Sequence, residues 1–137
     1  MRMQVGLCFL GLCGVLFALI GCDEEPGRVR VKRDQVVGVY ETNFEKGHEW
    51  LELKGDGTYV QEFHSTQRSI QHTGRWEIED HFLGGSDVNL IDTVVSENDA
   101  EGAPQRVGFR TLNVHERSGK LALALNEVAD AYFDPVH

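Results

Sequence analysis

The chain is short of cysteine, and the cysteine that it has lies near one end. Cys8 and Cys13 fall inside a hydrophobic run close to the N-terminus, and Cys22 is the last of the three cysteines among 137 residues. The region after residue 22 therefore holds no thiol. It can form neither an internal disulfide nor a cysteine-based metal site.

Catalytic motifs are missing as well. The sequence contains no GxSxG, HExxH, GxGxxG or phosphate-binding P-loop pattern. None of its six histidines has a second at the i, i+2 or i, i+4 spacing that directs two imidazoles at one metal ion. These histidines are His48, His64, His72, His81, His115 and His137. We therefore expect a protein that is not an enzyme and that carries no cofactor.

Positive charge is scarce. Lys and Arg number 13 against 22 Asp and Glu, which gives a formal net charge of −9 at pH 7. Nucleic-acid binding needs clustered cations that contact the phosphates, so we expect none. The acidic surface either keeps the domain soluble or favours a basic partner, and the sequence leaves both interpretations open.

One long hydrophobic run is present, from Val5 to Ile20. It follows Arg2 and the free amino terminus, and this is the order of a secretory signal peptide: a basic region, an apolar region, then small residues at a cleavage site. The run is shorter than the stretch of about 20 residues that a membrane-spanning helix needs. We expect a signal helix within residues 1–21 rather than a permanent transmembrane helix.

The run ends in Leu19-Ile20-Gly21-Cys22, which resembles the lipobox of bacterial lipoproteins. The resemblance implies that the Cys22 thiol receives a diacylglyceryl group, that cleavage occurs between Gly21 and Cys22, and that the new amine is acylated, typically with palmitate. Cleavage would remove one cation and no acid, so that 12 cations against 22 acids give −10. The alternative is an ordinary signal peptide or an uncleaved anchor in which Cys22 is incidental.

A lipoprotein of this kind would be anchored to a membrane and would face the periplasm or another space outside the cytoplasm. Asp23, after the lipidated residue, resembles the inner-membrane retention signal of enterobacteria-like lipoproteins. Residues 22–35 are then expected to form the lipidated cysteine and a polar tether. Within it, the basic patch 28–33 either contacts lipid headgroups or forms a solvated edge.

From residue 36 to 137 the pattern changes to short β-like runs separated by turns. Leu51 and Leu53 share one face of such a run, and the stretch from Lys54 to Thr58 has the Asp-Gly chemistry of a tight hairpin. No segment keeps a 3.6-residue apolar period. We predict an all-β domain over 36–137: a small antiparallel meander barrel of about eight strands, preceded by the signal helix.

Three stretches resemble the lipocalin-like small β-barrel domains of bacterial lipoproteins. They are Gly38-Val39-Tyr40 at the start of the first strand, Leu51 to Tyr59 in the first hairpin, and Gly74 to Ile78. The match covers roughly residues 36–95 and is weaker beyond them. It implies the barrel fold and little about function, because such barrels serve diverse functions.

Aromatic side chains are candidates to line a ligand cavity in such a barrel. The candidates are Tyr40, Tyr59, Phe63, Trp76 and Phe109. An eight-stranded barrel is either filled by its own side chains or holds one small ligand, and a short domain without disulfides needs its aromatics for its core. Trp50 has the opposite strand parity from Leu51 and Leu53. If those two face inward, Trp50 is exposed and is a candidate partner contact.

Two metal sites are weak candidates. If a hairpin turns near Arg68, His64 and His72 lie opposite each other on one face and, with Glu62 nearby, suit zinc or copper. The stretch from Glu97 to Gly102 resembles the first half of a calcium loop, although it begins with Glu and lacks the acid at position twelve. Solvated histidines and an acidic loop are the preferred interpretations, and we expect no bound metal.

The sequence thus favours a lipid-anchored cell-envelope lipoprotein that acts as a non-catalytic binding module for a protein partner or a small apolar ligand. One alternative is an inhibitor of a basic hydrolase such as lysozyme, which the acidic charge suits, although such inhibitors generally carry a disulfide. Another alternative is a metal-binding envelope protein.

Overall fold

The computed structural model describes residues 27–44, 47–66, 68–94, 107–126 and 131–136. Eight antiparallel strands form a closed barrel, in which each strand pairs with the next along the chain and the last pairs with the first. The strands are β1 (Gly38–Phe44), β2 (Gly47–Leu53), β3 (Thr58–Ser65), β4 (Ser69–Asp80), β5 (Ser86–Val94), β6 (Val107–Arg117), β7 (Lys120–Asn126) and β8 (Ala131–Pro135). The predicted meander barrel is confirmed. The expected signal helix, with Gly21 and Cys22, lies outside the described residues.

Alternate residues of each strand fill the interior, as the parity of Leu51 and Leu53 predicted. Both leucines are almost completely buried. They belong to one apolar cluster formed by Val31, Val36, Tyr40, Leu51, Leu53, Tyr59, Trp76, Val88, Leu90, Leu112, Val114, Leu123 and Phe133. Every strand contributes to this cluster, so one continuous core stabilises the whole barrel.

One end of the barrel is closed by the N-terminal part of the chain. At this plugged end, where β1 begins, the short helix α1 (Arg33–Val36) buries Val36 completely in the core cluster. Tyr40 donates from its phenol to the Val36 carbonyl oxygen at 2.9 Å and fixes the helix to β1. Among the described residues, no helix has the length and apolar character that crossing a membrane requires.

Residues 27–32, which we call the strap, lead into α1 across the ends of β5 and β6. The Val29 amide donates to the Val114 oxygen at 3.0 Å, and the Ser86 amide donates to the Val29 oxygen at 3.0 Å. Farther along, the Val31 amide donates to the Ser86 hydroxyl oxygen, also at 3.0 Å. The described part of the segment expected to be a tether, residues 27–35, therefore lies bound to the barrel rather than extended from it.

The expected hairpin between β2 and β3 is present. The Gly57 amide donates to the Lys54 oxygen at 3.1 Å, and the Lys54 amide donates to the Thr58 oxygen at 2.9 Å. Gly57 has φ 91°, a left-handed conformation that glycine adopts without strain. The Asp56 carboxylate accepts from the hydroxyl and the amide of Thr58, and these bonds lower its pKa.

Gly74 leaves room for the Tyr59 ring inside the barrel. The two residues are cross-strand partners on β3 and β4. A Cβ atom at position 74 would come within 2.5 Å of the Ile91 oxygen and 2.6 Å of the Tyr59 ring. The position of Tyr59, which ends the hairpin motif, therefore requires a glycine at position 74, in the Gly-x-Trp motif.

The barrel closes between the first and last strands. Among the described residues, β1 and β8 pair at Tyr40 with Pro135 and at Glu41 with Asp134. The Val136 amide then donates to the Val39 oxygen at 2.9 Å. This seam is much shorter than the pairing of β1 with β2, which runs over seven residue pairs.

Candidate functional site

Three of the aromatic residues proposed as cavity lining, Tyr40, Tyr59 and Trp76, instead fill the interior near the plugged end. All three are buried, and each polar atom has a partner. The Tyr59 phenol donates to the Ile91 oxygen at 3.3 Å, and the Trp76 indole donates to the Lys54 oxygen at 2.9 Å. Burial raises the pKa of Tyr40 to about 12 and also raises that of Tyr59. These side chains belong to the core.

The other two proposed lining residues lie on different faces. Phe63 is buried and approaches Phe44 with ring centroids 6.3 Å apart. Phe109 is 60% exposed, so its assignment to the interior is wrong. Its neighbour Arg110 points inward in its place, at the position that pairs with buried Leu90.

A polar network occupies the interior beyond the apolar core, toward the end opposite the plug. The fully buried Glu49 carboxylate accepts from the Gln61 amide at 2.5 Å and from the Arg110 guanidinium at 2.9 Å. The Gln61 oxygen accepts from the Thr93 hydroxyl at 3.0 Å. The charge of Glu49 is therefore compensated inside the barrel, as a buried carboxylate requires. The network thus places four polar side chains, those of Glu49, Gln61, Thr93 and Arg110, inside this part of the barrel.

The proposed histidine pair does not form. On β3 and β4, His64 pairs with Ser69 and Gln61 pairs with His72, so His64 faces outward while His72 faces the interior. Among the described residues, no group of three or more His, Cys, Asp or Glu side chains is placed to hold a metal ion. The zinc or copper site at His64 and His72 is therefore wrong. The calcium-like stretch from Glu97 to Gly102 lies outside the described residues.

Trp50 is exposed, as its strand parity predicted, with 44% of its surface accessible. Its position between two carboxylates was not predicted. In register, Glu41 of β1 lies on one side of Trp50 and Glu62 of β3 lies on the other. Direct cross-strand neighbours have side chains about 5 Å apart, so the indole lies between two acidic groups on one outer face.

The next row on the same face contains two histidines. His48 pairs with His64 across β2 and β3, and the His48 ring meets Trp50 edge-on with centroids 5.8 Å apart. Nε2 of His48 lies 3.6 Å from Glu41, and Nε2 of His64 lies 3.6 Å from Glu62. We call the five residues Glu41, His48, Trp50, Glu62 and His64 the Trp50 face.

A cleft adjoins the Trp50 face at Glu41, beside the short seam between β1 and β8. Its volume is about 370 Å³. The lining is largely polar and consists of Glu41, Thr42, Asn43, Arg117, Ala131, Tyr132 and Asp134. The Arg117 guanidinium lies 4.1 Å from the centroid of the Tyr132 ring. The cleft is a surface feature that suits polar side chains of a partner rather than an apolar small molecule.

Sequence reasoning missed the surroundings of Trp50 and one further exposed site. Glu41 and Glu62 become neighbours of Trp50 through the register of β1, β2 and β3, which a single strand does not reveal. Phe82 is 99% exposed in the turn between β4 and β5. A large apolar residue two positions before Gly84-Gly85 was the available clue, because central turn positions usually hold polar residues, Gly or Pro.

Comparison of the chain with protein-family models, with curated proteins and with solved structures finds no match.

Proposed function

We propose that this protein is a lipid-anchored lipoprotein of the cell envelope and that its Trp50 face binds a basic protein partner. The observation that carries the proposal is the row Glu41–Trp50–Glu62, in which an exposed indole lies between two carboxylates. An arginine or lysine of a partner can contact the face of the indole while its charge pairs with either carboxylate. Trp is also, with Tyr and Arg, enriched among the residues that contribute most to binding at the centres of protein interfaces.

The side chains that lie inside the described part of the barrel favour a protein partner over a small apolar ligand. The apolar cluster occupies the core, α1 closes one end, and the Glu49–Arg110 network occupies the interior toward the other. A ligand inside the described part of the barrel would have to displace these groups. Binding on the outer surface requires no such change.

The net charge supports a basic partner. The chain carries −9 overall, or −10 after removal of residues 1–21. Complementary charge accelerates encounter with a cationic partner and makes the association weaken as salt is added. A basic hydrolase such as lysozyme remains one instance of such a partner, and it is the first probe to use.

The partner site is tested with the lipidated protein in detergent, by capture from an envelope extract and by titration with lysozyme. Trp50→Ala should remove the captured basic protein or weaken its binding by about 30-fold, which corresponds to the 2 kcal/mol of a typical hot spot. Phe109→Ala is the matched control, because it removes another exposed aromatic residue from a different part of the surface. Capture that Trp50→Ala leaves unchanged would contradict the proposal.

The carboxylates are tested separately. Glu41→Gln with Glu62→Gln should weaken binding and flatten its dependence on salt. The control is Glu77→Gln with Glu79→Gln on β4, which makes the same change in net charge elsewhere on the exposed surface. Equal effects of the two pairs would mean that general charge, and not the Trp50 face, attracts the partner.

The anchor is tested at Cys22. The Cys22→Ala variant should keep its signal peptide or lose membrane attachment, and the wild-type mature protein should carry the mass of a diacylglyceryl group and an amide-linked acyl chain. A Cys22→Ala protein that is processed and extracted from membranes like the wild type would contradict lipidation.

A further inference from the structure

We propose that the plugged end of the barrel docks on the membrane surface, with Phe82 and Leu83 inserted into the lipid interface and the strap contacting lipid headgroups. This inference rests on the proposed function, because the lipid on Cys22 is what brings the barrel to a membrane. It assigns a second contact with lipid, made by the folded domain itself.

The turn between β4 and β5 presents two large apolar residues to solvent. The Gly84 amide donates to the His81 oxygen at 3.1 Å, so Phe82 and Leu83 are the two central residues of a β-turn. Phe82 is 99% exposed and Leu83 is 66% exposed. Neither side chain contributes to the core, and folding alone does not account for apolar residues at both central positions.

Exposed apolar side chains concentrate at this end. Six large apolar residues of the described chain are exposed: Val37, Trp50, Phe82, Leu83, Phe109 and Val136. Four of them lie at the plugged end, where Val37 precedes β1 and Val136 follows β8, on the opposite side of the barrel from the Phe82 turn. Because exposed apolar side chains lie on both sides of the plugged end, they suit the broad surface of a membrane better than a small pocket on a protein partner.

The strap places cations beside the same turn. The Arg30 guanidinium donates to the His81 oxygen at 2.6 Å, at the base of the Phe82 turn. Lys32 and Arg33 follow and are exposed, and the Asp34 and Asp56 carboxylates lie near Arg33. In a chain with a net charge of −9, this local group of cations is suited to anionic headgroups, next to side chains that suit the acyl region.

The position of Gly27 brings this end to the membrane. The Gly27 oxygen accepts from the Glu116 amide at 2.8 Å, so the described chain begins at the plugged end, beside the end of β6. The five residue-to-residue steps from Cys22 to Gly27 span at most about 17 Å when fully extended. The Phe82 turn lies close to Gly27, because a Cβ atom at Gly85, just after the turn, would come within 3.3 Å of the Cβ atom of Arg28. A lipid on Cys22 therefore holds the Phe82 turn close to the bilayer surface.

The test compares one fluorophore at two exposed phenylalanines. Phe82→Cys and Phe109→Cys are labelled with an environment-sensitive dye in the mature lipidated protein, whose own Cys22 thiol carries the lipid. Position 109 lies about 27 Å along β6 from Arg117 and serves as the matched control. Both proteins are reconstituted in vesicles of phosphatidylethanolamine and phosphatidylglycerol that contain nitroxide-labelled lipid.

We expect lipid quenching and a blue-shifted emission at position 82 and an aqueous emission at position 109. Equal emission at both positions, in protein that floats with the vesicles, would overturn the docking while leaving the anchor intact. Protection of position 82 from aqueous quencher without quenching by lipid would mean that a protein covers the turn, and would also overturn it.

The anchor and the docking are distinguished by a second experiment on Cys22→Ser protein of the expected mature length, residues 22–137, which carries neither the lipid nor the hydrophobic run of residues 5–20. At high concentration of the same vesicles it should bind weakly, and Phe82→Ser with Leu83→Ser should reduce that binding by about tenfold or more. The control Phe109→Ser should leave the binding unchanged. No difference between the two variants would overturn the inserted turn, whether or not the wild type proves to be lipidated.

Discussion

Tyr40 of β1 donates a hydrogen bond from its phenol to the backbone oxygen of Val36 at 2.9 Å, and so joins the first strand to the helix that plugs the barrel. Burial raises the pKa of Tyr40 from 10.0 to about 12, because the phenolate would lose its hydration. A group whose folded pKa is raised contributes stability that is complete below the unfolded pKa. That contribution is lost as pH rises through the folded pKa.

We therefore expect the free energy of unfolding to fall between about pH 10 and pH 12, by roughly 3 kcal/mol from Tyr40. Tyr40→Phe removes this part of the fall, at a cost of about 1 kcal/mol at neutral pH for the lost hydrogen bond. Urea unfolding at a series of pH values, followed by circular dichroism, measures both effects. Parallel curves for the two proteins would show that another group causes the alkaline loss.

The ion pair between Glu49 and Arg110 gives a second prediction. Arg110→Met leaves the fully buried Glu49 carboxylate without its cation and should cost about 3–5 kcal/mol of unfolding free energy. Adding Glu49→Gln should recover part of this loss, because the second substitution removes the uncompensated charge. Arg75→Met on the exposed face of β4 is the control and should change stability by less than about 0.5 kcal/mol. A double variant as unstable as the sum of its single variants would contradict direct coupling.

A third prediction concerns Asp87, which fastens the strap to the barrel. Its buried carboxylate accepts from Arg28 at 2.7 Å and from Asn113 at 2.8 Å, and contacts His81 Nε2 at 2.5 Å. Asp87→Ala should cost about 2–4 kcal/mol and accelerate hydrogen exchange at the amides that join the strap to β5 and β6.

The control for Asp87 is Asp134→Ala, which removes an exposed carboxylate 3.6 Å from Arg117. Exposed pairs of this kind contribute at most about 1 kcal/mol, and the strap amides should keep their exchange rates. Unchanged exchange at the Val29 and Ser86 amides in Asp87→Ala would show that the backbone bonds hold the strap without it.

Gly74 gives a fourth prediction. Gly74→Ala places a Cβ atom against the Ile91 oxygen and the Tyr59 ring and should cost about 1–3 kcal/mol through the forced shift of both strands. Gly55→Ala is the matched control, because a Cβ at position 55 has no neighbouring atom within 4 Å. Thermal unfolding of the two variants compares them directly, and equal midpoints would contradict the close packing of Tyr59 on Gly74.

The strands and their inward faces could be predicted from the sequence because both are local properties. Alternation identified Leu51 and Leu53 as core residues and Trp50 as exposed, and the Asp-Gly turn fixed the pairing of β2 with β3. The same parity rule applied to β6 would have placed Phe109 outside, since Leu112 and Val114 are the inward residues. An inward Arg110 was unexpected because its partner Glu49 lies 61 positions away.

The predicted histidine pair depended on the position of one turn, because the turn between β3 and β4 sets which of their residues face each other. A hairpin centred on Arg68 would place His64 opposite His72, but the observed register pairs His64 with Ser69. The centre of this turn therefore lies between residues 66 and 67 rather than at Arg68. With this register the cross-strand partner of His72 is Gln61, which faces the interior, so His72 lies on the opposite face of the sheet from His64. The composition of residues 65–68 does not fix that centre. Side-chain periodicity is informative within a strand, whereas the register between strands depends on loops.

The short seam between β1 and β8 has a consequence for how the barrel forms. Its two pairs, Tyr40 with Pro135 and Glu41 with Asp134, join residues at nearly opposite ends of the domain. Every other pairing joins consecutive strands, so seven hairpins can assemble in order while the chain emerges from a ribosome or a translocon. The ring cannot close until β8 has emerged, and closure carries the largest loop entropy of any step. Loss of β8 would leave an open, curled sheet with two unpaired edges, a form prone to association with other copies of itself.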